Sequence, residues 1–260
     1  MFSCASEYQQ ALQNAFAGED ISVFAYRELD STNTEAKRLA LGGGNAPAVI
    51  AAESQTAGRG RMGRSFYSPL QTGAYFSFLY QPSAGLDVAV SVTSAVSVAV
   101  AEAILALCGV QCEIKWVNDL YCNGKKVCGI LCESVTVGDR PMIVVGIGIN
   151  LCTAEFPPDL LQKAGSIGRS VDKSRLIAAV WKRLKPYLND PQNRDWLPAY
   201  RAYSCVIGKR VEWQAGGVRF CGVAEDIDAD GGLCVQTPDG RHTVLRTGEI
   251  SLFIEGVNLL

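Results

Sequence analysis

Over the first hundred residues, short continuous apolar runs alternate with segments whose apolar positions recur every three or four residues, the signature of strands and helices taken in turn. Glu7–Ala17 predicts a short leading helix and Val23–Glu28 a strand. The next helix opens at Thr32, which with Glu35 has the T-x-x-E spacing of a capping box, and stops at Gly42-Gly43-Gly44. Ala48–Glu53 and Ala74–Tyr80 are compact apolar runs of buried strands, and Val88–Leu107 is a long buried helix. Between 111 and 150 the period changes to β. Cys112–Trp116, Asp119–Cys122, Lys125–Val135 and Met142–Ile149 are short runs joined by turns, and Asn123-Gly124 is suited to a type I′ hairpin. Strict alternation in Lys125–Val135 puts Lys126 on the face of Cys128 and Ile130, opposite Lys125. Helices resume at Lys173–Leu188 and Trp196–Tyr203. From Val206 the pattern is all β: Arg210–Trp213, Val218–Ile227, Leu233–Gln236, Thr243–Arg246 and Ile250–Ile254, separated by Gly-Gly and Asp-Gly turns. These five strands predict a small barrel, residues 206–260, appended to a body of helices and strands, residues 1–205.

Composition narrows the class. With 48% hydrophobic and 19% charged residues among 260, the chain has the makeup of a globular protein with a real core. The longest apolar run is interrupted by Ser91, Thr93, Ser94, Ser97 and Glu102, so no membrane span is expected. The formal charge of −2 gives no general field for nucleic acid, and only about 20 residues precede the first core strand, too few for a helix-turn-helix module. No sequence-specific nucleic-acid partner is expected. Ten cysteines, including Cys4, lie largely in apolar runs with no signal peptide ahead of them, which reads as reduced thiols in a cytoplasmic protein. Zinc is disfavoured by the absence of C-x-x-C and by a single histidine, His242, read as an ordinary strand residue.

Candidate chemistry concentrates between 55 and 69. Arg59, Arg61 and Arg64 fall within six residues, and no Asp, Glu or Lys occurs from Ser54 to Leu86. Gly58, Gly60 and Gly63 permit positive φ and close backbone approach, and arginine supplies planar paired donors for phosphate or carboxylate. A solvated, flexible basic loop is the plain alternative. The glycines also fit G-x-G-x-x-G, but the segment leads through Ser68-Pro69 and Gln71-Thr72-Gly73 into another strand, not into a helix, and the acid of a dinucleotide fold is missing.

Four ordered blocks carry a resemblance. Gln55-Thr56-Ala57-Gly58-Arg59-Gly60-Arg61 with Ser68-Pro69, Lys115-Trp116-x-Asn118-Asp119-Leu120, Lys126-Val127-x-Gly129-Ile130-Leu131-x-Glu133 and Gly146-Ile147-Gly148-Ile149-Asn150 resemble the biotin protein ligases. Gly248-Glu249-Ile250-Ser251-Leu252 is similar to the C-terminal barrel of that family. The resemblance implies an α+β fold, a mixed-sheet biotin/lipoate ligase-like catalytic domain followed by a small SH3-like β-barrel. It implies activation of biotin by ATP and Mg²⁺ to biotinyl-5′-AMP with release of pyrophosphate, then transfer to a lysine of a biotin carboxyl carrier protein.

By that resemblance Lys126, Arg59 and Arg61 are catalytic cations, and biotin falls to Ser31, Thr32, Asn33, Thr56, Arg59, Gly60, Arg61, Lys126, Gly129 and Ile130. Arg61, Arg64, Phe66, Lys115, Asn118 and Asn150 are the ATP residues, and Asp119 is the candidate Mg²⁺ ligand. Thr32 is expected to cap its helix as well. Val117, where the family usually has proline, and Phe66, where tryptophan is common, depart from the pattern without removing a charge. A lipoate or octanoate transferase of the same fold and a non-catalytic adenylate-binding module are the alternatives, and a homodimer is left open. Gly165, Gly168 and Pro157-Pro158 suit a mobile segment over 151–170.

Overall fold

A computed structural model describes residues 6–82, 89–190, 192–254 and 257–259. Cys4 and the expected helix start at Val88 lie outside them.

The body is built on a seven-stranded mixed sheet. Its strands are β1 (Ser22–Leu29), β2 (Ala48–Gln55), β3 (Gly73–Tyr80), β4 (Glu113–Lys115), β5 (Asp119–Cys122), β6 (Lys125–Val137) and β7 (Arg140–Asn150), in the order β1-β2-β3-β7-β6-β5-β4. Only β1 and β2 run parallel, and α2 (Thr32–Leu41) is the crossover that such a pair requires. Every residue of β3 is buried, because the sheet is covered on both sides. Ala74, Phe76, Phe78 and Tyr80 join the main core beneath α3 (Ala89–Cys108) and α4 (Lys173–Asn189), where Phe78 packs on Trp181 with ring centroids 5.2 Å apart. Leu79 joins a second core with Ala36 and Ala40 of α2. The leading helix α1 (Ser6–Ala15) adds Leu12 to the main core, and α5 (Trp196–Tyr203) adds Trp196 and Tyr200. The stretch Ser91–Cys108 is long and apolar enough to cross a membrane, yet 72% of it is buried inside the protein, as expected of a central core helix.

The C-terminal sheet is wholly antiparallel. It comprises β8 (Arg210–Ala215), β9 (Val218–Ile227), β10 (Leu233–Gln236), β11 (His242–Leu245), β12 (Ile250–Ile254) and β13 (Val257–Leu259), ordered β11-β10-β9-β8-β12-β13. The last strand is one more than the apolar pattern predicts. Trp116 Nε1 donates to Gly231 O at 2.9 Å, and the turn at Gly248-Glu249 reaches the arginine loop, so this sheet closes one side of the body.

Two local expectations are corrected. Thr32 does not form the capping box: Ser31, extended at φ −160°, precedes the helix with no side-chain cap, and Thr32 is the first helical residue. Its hydroxyl is drawn inward to Gln55 and Ser77, while Glu35 accepts from Arg38 and Tyr26. Lys126 does not share the face of Cys128. Leu120 pairs with Cys128 but Tyr121 with Lys126, so Val127 is an extra residue on β6, and this bulge turns Lys126 onto the face of Gly129. Val127 and Cys128 are both buried in consequence.

The Asn123-Gly124 turn has φ of 52° and 72°, as a type I′ hairpin needs. The nine cysteines among the described residues are free thiols, and His242 is an exposed strand residue 2.9 Å from Glu225. The segment 160–168 is tied to the body at several points: Lys126 N donates to Lys163 O, Gly165 N to Lys126 O and Ile167 N to Asn150 O.

Candidate active site

The start of α2, the end of β2, the arginine loop and the cleft-facing sides of β6 and β7 line one open cleft. Its floor is made of absent side chains. Gly129, Gly146 and Gly148 all line the cleft on two neighbouring strands. A Cβ on Gly146 would overlap the Asn33 side-chain oxygen, and one on Gly148 would stand 2.8 Å from Phe66 Cδ1. The amide of Asn33 and the ring of Phe66 therefore lie directly on the sheet.

The neutral groups form a hydrogen-bonded cluster. Gln55 Oε1 accepts from Thr32 N at 2.8 Å and from Thr32 Oγ1 at 3.2 Å, and Gln55 Nε2 donates to Ser68. Asn33 Nδ2 donates to Glu133 at 2.9 Å and to Leu131 O at 3.2 Å. Ser77 Oγ, fully buried, lies 2.8 Å from Thr32 Oγ1 and 2.7 Å from Asn33 Oδ1. With one hydroxyl proton it donates to one of them at a time. The Asn33 amide nitrogen is already committed as a donor, so its oxygen is the acceptor that fits.

The basic loop is an ordered hairpin and not a solvated tether. Gly60 N donates to Arg64 O at 2.7 Å and Phe66 N to Gly58 O at 2.9 Å. Gly58 is needed for close approach, since a Cβ there would strike the Phe66 carbonyl, and Gly63 for its φ of 75°. Each guanidinium has a partner. Arg59 reaches Glu133 at 3.0 Å, Arg61 donates to Asn118 Oδ1 and Gly248 O, both at 2.9 Å, and Arg64 pairs with Glu249 at 2.7 Å. Lys126 Nζ stands 2.7 Å from Asp119 Oδ1, close enough to pair as charges although not aligned as a hydrogen bond. Burial pushes the Glu133 carboxyl up, but hydrogen bonds from Lys37 and Asn33 and the charges of Lys37 and Arg59 outweigh it and hold it below the usual range.

The cleft thus brings together Ser31, Thr32, Asn33, Arg59, Gly60 and Arg61 with Arg64, Phe66, Asn118, Asp119, Lys126, Gly129 and Ile130. Three expected residues stand outside it. Thr56 is exposed and points away, because alternation at the end of β2 sends its neighbour Gln55 inward. Lys115 lies over the Tyr121 ring, 5.6 Å from its centroid, and burial lowers its pKa, which Asp119 partly restores. Asn150 is buried and donates to Gly165 O at 3.0 Å. Gln55, Gly146, Gly148 and Glu249 in the wall and Ser77 and Glu133 behind it are residues to which the sequence alone assigns no role at the site. A serine in the middle of an otherwise aromatic and aliphatic strand was the available signal for Ser77.

Residues 24–150 match the Biotin/lipoate A/B protein ligase family, and residues 206–252 match the biotin protein ligase C-terminal domain. The biotin–[acetyl-CoA-carboxylase] ligase of Paracoccus denitrificans is 33% identical over 234 residues, covering 83% of this chain and 94% of its own. The chain belongs to the biotin protein ligase family. The biotin–[acetyl-CoA-carboxylase] ligase of Mycobacterium tuberculosis is 31% identical over 254 residues, 86% of this chain and 89% of its own. Among solved structures, the biotin protein ligase from Aquifex aeolicus in complex with biotin and ATP superposes with a TM-score of 0.75 at 27% identity, covering 89% of this chain and 98% of that one. In this biotin ligase the family's two parts correspond to the mixed-sheet body and the antiparallel sheet, and the cleft lies where they meet.

Proposed function

We propose that this ligase joins biotin to ATP as biotinyl-5′-AMP with release of pyrophosphate, and then transfers the biotinyl group to a lysine of a biotin carboxyl carrier protein. The supporting observation is one cleft lined by two chemically distinct sets of groups: neutral donors and acceptors at Ser31, Thr32, Asn33 and Gln55, and cations at Arg59, Arg61, Arg64 and Lys126. A ureido ring needs the first, and a carboxylate brought against an α-phosphate needs the second.

In the first step the biotin carboxylate oxygen attacks the α-phosphorus, and the bond to pyrophosphate breaks with its electron pair. Two anions must meet before that bond forms, so fixed cations contribute more than a base. Lys126, on the face of Gly129, and Arg59, which lines the same cleft, would share the charge of the acyl phosphate, and Arg61 and Arg64 that of the departing phosphates. Phe66 and Asn118, in the cleft wall, are the nucleotide residues of this proposal, and Lys115 and Asn150, outside that wall, would act on the nucleotide only beyond it. In the second step a carrier lysine amine attacks the acyl carbon, AMP leaves, and the amine loses a proton.

Mg²⁺ would accompany the nucleotide, neutralising its phosphates. No group of three metal-ligating side chains occurs among the described residues, but a phosphate-borne Mg²⁺ needs only one or two carboxylates, and Asp119 in the cleft wall fits that.

Biotin-dependent exchange of pyrophosphate into ATP, followed by transfer to a carrier domain, tests the reading. Exchange that requires biotin and is not supported by lipoate is expected; equal transfer from lipoate overturns it. We further propose that 206–260 form a separate domain whose turn at Gly248-Glu249 steadies Arg61 and Arg64. A folded 1–205 fragment is then expected to adenylate biotin poorly, and full activity of that fragment would show the domain to be dispensable.

A further inference from the structure

Glu133 has no part in the chemistry above, yet three side chains, two from α2 and one from the arginine loop, end on its carboxylate. Asn33 Nδ2 donates to Oε2 at 2.9 Å, while Lys37 Nζ at 2.7 Å and Arg59 Nη2 at 3.0 Å both donate to Oε1. The Glu133 side chain is only 16% exposed, so solvent cannot substitute freely for it. Two cations meeting on one oxygen repel each other strongly once that oxygen is uncharged. Lys37 belongs to a helix and keeps its place. Arg59 sits on a hairpin, paired to Ser65 through a single backbone bridge, and is the partner free to leave.

We propose that Glu133 is a positioning residue of the ligation reaction, holding Arg59 against the cleft by cancelling the charge of Lys37 and fixing the Asn33 amide from its other oxygen. The proposal rests on the functional reading above for Arg59's role. Its electrostatics are specific. One carboxylate balances one of two cations, so Lys37 keeps Glu133 from claiming the whole charge of Arg59. Glu133→Gln removes the attraction and leaves the repulsion, whereas Lys37→Met removes the repulsion and strengthens the hold. The double variant removes both.

Limited digestion of the ligand-free protein with trypsin reads the hold on the loop directly. The rate of cleavage after Arg59, Arg61 and Arg64 is normalised to cleavage after Arg241, in an exposed turn of the C-terminal sheet. Glu133→Gln is expected to raise that ratio and to lower kcat/KM for biotin in pyrophosphate exchange about tenfold. Lys37→Met should lower the ratio, and Glu133→Gln with Lys37→Met should return both readouts toward wild type. A merely structural loss would be deepened, not relieved, by the second substitution. An unchanged ratio in Glu133→Gln, a double variant as loose as or looser than the single one, or a raised ratio in Lys37→Met overturns the proposal. Should Glu133→Gln not fold, Lys37→Met alone decides by the direction of its shift. Wild-type protein without biotin-dependent exchange would overturn the functional reading instead, and the tryptic ratio, which needs no substrate, still judges the hold on Arg59.

Discussion

Lys126→Ala is expected to slow single-turnover formation of biotinyl-adenylate by about 10²–10³, equivalent to roughly 3–4 kcal/mol of transition-state stabilisation, the range for loss of one preorganised charge-stabilising donor. Two effects add. The ammonium that would share the acyl-phosphate charge is gone, and Asp119, 2.7 Å from it in the ligand-free protein, is left unbalanced in the cleft wall. Asp119→Asn placed in the Lys126→Ala background removes the unbalanced charge together with the candidate Mg²⁺ ligand, so any rate it recovers measures the second effect. Melting should hardly change, because the Lys126 side chain is one-third exposed and packs no core. Lys125→Ala is the internal control. Lys125 is exposed on the other face of β6, its ammonium donating to Leu161 O at 2.9 Å, and its variant should react near the wild-type rate. An undiminished adenylation rate in Lys126→Ala, or a crippled Lys125 variant, would reassign the roles.

Most elements were legible because local period and turn chemistry agree with the fold. Asn123-Gly124 occupies the positive-φ pair its composition predicts, and β3 reads as a buried strand and is buried throughout. The failures share a cause, which is competition from distant groups. Thr32 and Glu35 have capping-box spacing, but Ser77, 45 residues away in sequence, and Gln55 offer the Thr32 hydroxyl a buried network. The bulge at Val127 carries no glycine or proline to announce it; only the register against β5 reveals that Lys126 faces Gly129. The motif Gln55-Thr56 places two polar residues side by side, and the choice between them depends on which face of β2 meets the cleft. Glu249 reaches Arg64 across 185 positions, a distance at which one sequence carries no pairing signal.

The same crowding gives a second large effect at a residue with no side chain. Gly146→Ala would bring a methyl carbon within 2.7 Å of Asn33 Cγ and onto its amide oxygen. A long surface side chain would swing aside, but Asn33 is 3% exposed and held by Ser77, Leu131 O and Glu133. Moving it breaks at least one buried hydrogen bond, and leaving it in place strains β7 against α2. We expect about 2–4 kcal/mol of lost stability from overpacking together with an unpaired buried polar group, read as a fall of roughly 5–10 °C in Tm. Because the displaced amide also lines the cleft, the biotin KM should rise about tenfold or more, the two losses sharing one cause. Asn33→Ala in the Gly146→Ala background separates them. Removing the amide makes room for the methyl, so Tm should recover in part, while the biotin KM should stay high for want of the Asn33 contact. A Gly146→Ala protein that melts like wild type would mean that Asn33 has somewhere else to go, and that the glycine is not what seats it on the sheet.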